Sequence, residues 1–121
     1  MVQVRSGVVV VLLCIAMAAC ATMQRDTYRA LSAAASTYEQ GMTAVAELDR
    51  AGKLTPEVRG QILSVARVYW VAYHGAADAL ATYAASSDKP NEERLVLAMG
   101  SMTSALAALL SEIAKLTQGV K

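Results

Sequence analysis

The chain has 121 residues, 17% of them charged, and a formal net charge of +1. That length holds a single domain, and the near-neutral balance excludes a strongly basic nucleic-acid binder and an acidic tail protein. The hydrophobic share of 55% is unevenly spread: Val8 to Ala21 is one unbroken apolar run, Phe is absent, and much of the remainder is Ala.

The N-terminal stretch reads as a secretory signal. Arg5 and the terminal amine supply positive charge, Val8 to Met17 form the apolar segment, and the small residues Ala18 and Ala19 lead to Cys20. As a helix, Val8 to Ala21 would be roughly 21 Å long against about 30 Å of hydrocarbon, too short to span a membrane comfortably. The tetrapeptide Met17-Ala18-Ala19-Cys20 resembles the lipobox of bacterial lipoproteins. In that family the cysteine sulfur receives a diacylglyceryl group and the segment before it is cleaved. The resemblance extends only as far as Thr22 and departs from the commonest pattern at Met17, where Leu is usual. It implies a signal peptide over 1–19, palmitate-type acyl chains on Cys20, and residues 20–25 as a short tether to the membrane. Ala21 stands where an Asp often marks inner-membrane retention. The resemblance therefore places a Gram-negative lipoprotein of this kind at the periplasmic leaflet of the outer membrane, and a Gram-positive one on the outer face of the cell membrane. The competing readings are an ordinary signal cleaved after Ala16-Met17-Ala18, leaving Cys20 as a free thiol, and an uncleaved anchor. Cys14 follows the bulky Leu12 and Leu13, fits lipidation poorly, and leaves with the signal in either case. With Cys20 acylated and Cys14 removed, neither a disulfide framework nor a catalytic thiol is expected.

Two breaks divide the remainder. At the first, Gly52 suits a left-handed C-cap, Thr55 an N-cap and Pro56 the first helical position, with Glu57 in the positive first turn. At the second, Ser87 or Asp88 can cap a helix whose opening turns hold Glu92 and Glu93. Apolar residues step by three and four in each segment. The first seam is Tyr28, Leu31, Ala35, Tyr38, Met42 and Val45; the second runs from Val58 through Ile62, Val65 and Tyr69 to Ala72, Ala76 and Ala79. The third runs from Leu95 through Met99, Met102, Leu106, Leu109, Ile113 and Leu116 to Val120. Helices over 26–51, 56–85 and 91–118 would each be roughly 40–45 Å long. Similar lengths and short links predict an all-α, up-down-up three-helix bundle over 26–121, with a two-helix seam extended by dimerisation as the rival. Ala-rich seams predict close backbone packing, and Gly75 and Gly100 are expected at similar heights where two helices approach.

Chemistry-bearing residues are sparse. His74 is the only histidine, and Asp78 lies one helical turn on, an ordinary surface pairing rather than a metal or triad site. The stretch from Glu47 to Thr55 faintly resembles an EF-hand loop, but Ala51 and Val58 occupy ligand positions, so a plain helix-helix turn is expected. The aromatic cluster Tyr69, Trp70, Tyr73 and Tyr83 is the most distinctive feature. Tyr73 suits the core edge. Trp70 is read as a partly buried side chain packed under its neighbours, as a partner or self-association surface with Leu63 and Tyr73, or as a contact with the lipid interface. The terminal Lys121 resembles that of murein lipoproteins, which join it to peptidoglycan, although Gly119 and Val120 lack that family's basic and aromatic tail.

Together these features predict a non-enzymatic, lipid-anchored protein of the bacterial cell envelope. It would be a structural or accessory subunit acting through an envelope protein partner or through self-association. No metal and no cofactor beyond the covalent lipid on Cys20 are expected. The alternative is a module that binds a small apolar ligand or lipid between its helices.

Overall fold

The computed structural model describes the backbone from Val2 to Gly119 and the side chains from Thr22 to Gln118. The fold is an all-α three-helix bundle: α1 (Val2–Arg50), α2 (Pro56–Ala85) and α3 (Lys89–Gly119). The second helix has the boundaries expected, and α3 begins two residues before the expected position 91. The first departs most. It does not start near residue 26 but includes residues 20–25, so the segment read as a tether is helical. Its composition explains this: Cys20 to Arg25 contains neither Gly nor Pro, and Ala, Met, Gln and Arg are good helix formers. The signal segment, Cys20 lipidation, the Val120 seam position and Lys121 fall outside the described side chains.

Both turns are built by side chains and backbone groups suited to stopping and restarting a helix. After α1, Gly52 adopts φ 71°, the left-handed conformation glycine enters without a Cβ penalty. The Lys53 N–H donates to the Leu48 carbonyl and the Gly52 N–H to the Asp49 carbonyl, each at 3.0 Å, the pairing of a Schellman cap. Thr55 then caps α2, its Oγ1 accepting from the Val58 N–H at 3.2 Å. The Arg59 guanidinium pairs with Asp49 across the turn, its Nε donating to Oδ1 at 3.0 Å. Asp49 thus links α1 to α2 through an exposed pair across the turn. At the second turn it is Asp88 rather than Ser87 that caps, its Oδ1 accepting from the Asn91 N–H at 2.9 Å. The Asn91 amide reaches back to the Ser86 carbonyl at 2.8 Å.

The core differs between helix pairs. The packing of α2 on α3 is the most intimate, and α1 lies less closely against both. Small side chains permit the first: Ala66, Ala76 and Ala105 are buried beside Ile62, Met102 and Leu109. Bulk enforces the second, because Tyr38 of α1 stacks on Tyr69 of α2 with ring centroids 4.9 Å apart, and interaxial distance follows the side chains at the contact.

On α1 the buried face is rotated from the expected one. Tyr28 is exposed, whereas Thr27, Leu31, Ala34 and Val45 are buried. Ala35 and Met42 are only partly buried. The seam steps 27-31-34-38-41-45-48, a strict heptad, and places Gly41 against α3. A Cβ there would stand 3.0 Å from Ile113 Cδ1 and 3.8 Å from Leu110 Cδ2.

Gly75 and Gly100 do not mark a close helix approach. A Cβ at either position meets nothing within 4 Å, and the same holds at Gly60. Within the bundle these glycines face outward, and Gly60 and Gly75 weaken α2 without any packing return. Gly60→Ala and Gly75→Ala are therefore each expected to raise stability by about 0.5–1 kcal/mol. Gly41→Ala should gain less, since Ile113 must yield. Urea unfolding followed by circular dichroism compares the three directly.

Candidate interaction surface

The aromatic residues of α2 occupy successive positions on one side of the helix and are completed from α1. Tyr69 points inward and is 1% exposed. Trp70, one residue on, is turned by about 100° and remains 49% exposed. Tyr73 is half-buried between these directions, tilted against Tyr69 and stacked near Trp70, both at 6.0 Å. Tyr38 meets Trp70 at 6.0 Å as well as stacking on Tyr69.

His74 packs by its edge on Trp70, with centroids 4.7 Å apart and planes at 84°. It does not pair with Asp78: among the described residues the ion pairs are Arg59–Asp49 and Lys115–Glu112. The histidine supports the indole from the solvent side. No group of three or more His, Cys, Asp or Glu among the described residues is placed to hold a metal.

Leu63, Trp70 and Tyr73, read from sequence as one surface, are brought together in part. Leu63 and Trp70 line a shared open groove of about 320 Å³ with Tyr38, Met42, Ala66 and Arg67. Tyr73 flanks Trp70 without lining it. The contribution of α1 was missed. The sequence pattern puts Tyr38 and Met42 on the seam of their own helix, and only the pairing of α1 with α2 makes them one wall of the groove. Tyr83 is buried near the C-terminal end of α2.

Tyr69 carries a buried hydroxyl with no hydrogen-bond partner. Burial, then the neighbouring phenols of Tyr73 and Tyr38, push its pKa above the ordinary tyrosine value. The phenol stays neutral and acts as an aromatic wedge between α1 and α2. Chemically, the site offers a half-exposed indole and an isobutyl side chain over a rigid aromatic base, with one guanidinium at the rim. That combination suits non-covalent recognition.

No protein-family model matches the chain, and comparison with curated proteins and with solved structures likewise gave no match.

Proposed function

We propose that this chain is a cell-envelope lipoprotein, anchored through acyl chains on Cys20, whose helical body works non-enzymatically by protein contact. What supports the contact reading is the surface around Trp70. Nearly half of an indole and of Leu63 stays exposed over a base of stacked tyrosines, an arrangement in which an aromatic anchor is already held rigid for a partner. The anchor rests on the lipobox-like Met17-Ala18-Ala19-Cys20. With two or three acyl chains, each buried methylene adding about 0.8 kcal/mol, attachment is persistent. The second reading, a small apolar ligand, draws on the 320 Å³ groove. Because that groove opens to solvent along one side, it suits a protruding side chain of a partner better than an enclosed small molecule.

The test is fatty-acid labelling in growing cells combined with a photo-crosslinker at Trp70. The expected result is an acyl label that Cys20→Ser abolishes, release of that variant from membranes, and a cross-linked protein at position 70 in the native chain. An acyl label that survives Cys20→Ser would remove the anchor. Absence of any protein adduct at position 70, with none at Leu63, would remove the contact surface.

A further inference from the structure

The face of α3 turned away from α1 has an unusual character. From Leu95 to Ser111 the helix carries no charged side chain, and most of its apolar stretch stays outside the core. Leu110, which meets α1 at Gly41, lies about 120° around the helix from Ser104. On the Ser104 side Leu97 is 72% exposed. It is followed at helical spacing by Gly100, Ser101, Ser104 and Ala108, all exposed and all small. Val68 of α2 extends this shallow strip beside Ala105.

The charges that end the strip are arranged in opposite order at its two ends. Read outward from its centre, Arg94 and then Glu93 stand before it, and Glu112 and then Lys115 after it; within one chain Lys115 donates to Glu112 at 3.1 Å, an exposed pair that an antiparallel copy would exchange for the two pairs across the axis. Arg94 and Glu112 are equidistant in sequence from Thr103, and Glu93 and Lys115 are equidistant from Ser104. Glu93 and Lys115 fall within about 30° of the Leu97–Ser104 direction, and Arg94 and Glu112 about 70° from it on the same side. A two-fold axis through Ser104 would therefore set each α3 antiparallel to its copy, with Arg94 opposite Glu112 of the copy and Glu93 opposite its Lys115. Both pairs join opposite charges, and Arg94 with Glu112 lies on one edge of the contact. This is the self-complementarity an isologous interface demands.

We infer that the outer face of α3 is a homodimer interface, in which two copies pack antiparallel about Ser104 with Arg94–Glu112 and Glu93–Lys115 pairs at the rims. The small residues at the centre let the helix backbones approach closely, and Leu97 of one copy covers Ser111 of the other. Lipid is a poorer occupant. A membrane-facing helix presents bulky apolar and aromatic side chains flanked by basic residues, whereas this strip is bulky only at the end formed by Val68, Val96 and Leu97, is small and partly polar through Gly100, Ser101, Ser104 and Ala108, and is flanked by both signs. The surface is separate from the Trp70 groove and does not depend on the lipid anchor.

The test uses the full chain with Cys14→Ser and Cys20→Ser, so that each introduced cysteine is the only thiol, purified in mild detergent and checked for helicity. S104C should form a disulfide-linked dimer under mild oxidation, faster than D78C on the exposed side of α2, because Cβ atoms must come within about 4 Å. L97C and S111C should each fail to self-link but should link when mixed. By sedimentation equilibrium the chain should be dimeric. Arg94→Glu should weaken it about tenfold, as two rim pairs turn from attraction to repulsion, and adding Glu112→Arg should restore it. A monomeric mass, S104C linking no faster than D78C, or L97C linking to itself would overturn the proposal. So would a monomer whose S104C-attached fluorophore is quenched by brominated lipids in vesicles, which would assign the face to the bilayer.

Discussion

Replacing Tyr69 by Phe should leave the bundle as stable as before or stabilise it by about 1 kcal/mol, while Tyr69→Ala should cost about 3–5 kcal/mol. The opposite signs follow from where the side chain's two parts lie. The ring is enclosed, stacked on Tyr38 at 4.9 Å, and holds α1 against α2; truncating it opens a cavity between helices that already pack less closely than α2 and α3 do. The hydroxyl is buried with no partner, so folding strips it of water and returns nothing. Phe removes that cost and keeps the ring. Urea unfolding with unchanged slope measures both differences, and a clear loss in Tyr69→Phe would mean that the hydroxyl has found a partner. The same geometry fixes a pH dependence. The folded phenol has its pKa raised by burial, so the folded state holds its proton more tightly than the unfolded chain. Its contribution is complete below the unfolded value near 10 and is lost as pH rises through the folded value. Stability should fall in that alkaline window, and less steeply in Tyr69→Phe.

Ala76→Leu should be the most damaging single enlargement, costing about 1–3 kcal/mol or more. Ala76 is completely enclosed, within the same cluster as Ala66, Ala105 and Leu109, where α2 and α3 lie closest. Three added carbons cannot enter without pushing the helices apart or forcing strained rotamers. The same change at Ala81, exposed on α2, should be nearly neutral. Thermal unfolding of the two variants provides the comparison. Similar melting temperatures would show that the small side chain at position 76 is not what allows the close approach.

How far residues alone disclose this fold depended on which signal marked each element. The limits of α2 were readable because Gly52, Thr55 and Pro56 each have one structural use in that order. Most of the seams of α2 and α3 was readable because their buried positions are also their apolar ones, although the enclosed Ala66, Tyr83 and Ala105 lie off the expected steps. On α1 this coincidence fails. Its inward positions include Thr27, Ala34 and Gly41, while the large apolar ring of Tyr28 faces solvent. Apolarity alone therefore selected residues one position too far along at 28, 35 and 42. The strict heptad through 27, 34 and 41 would have been visible only by treating small residues as candidates for contact. The outward-facing Gly75 and Gly100 show the converse: a glycine inside a helix does not by itself indicate a neighbour. At the interaction surface, Trp70 and Leu63 could be singled out by their unusual place on the helix, but Tyr38 is remote in sequence and became part of the groove only through tertiary packing.

The helical state of residues 20–25 bears on orientation as well as distance. In a chain anchored at Cys20, as proposed, a flexible tether would let the bundle tumble freely beneath its lipid. A helix continuous with Leu31 and Ala34 instead transmits both tilt and azimuth, since every residue adds about 1.5 Å and 100°. The anchor and the Trp70 groove are then held in a fixed angular relation, like two spokes on one axle. Inserting a single alanine after Arg25 would swing the groove about 100° around the axis of α1 while shifting it only about 1.5 Å along that axis.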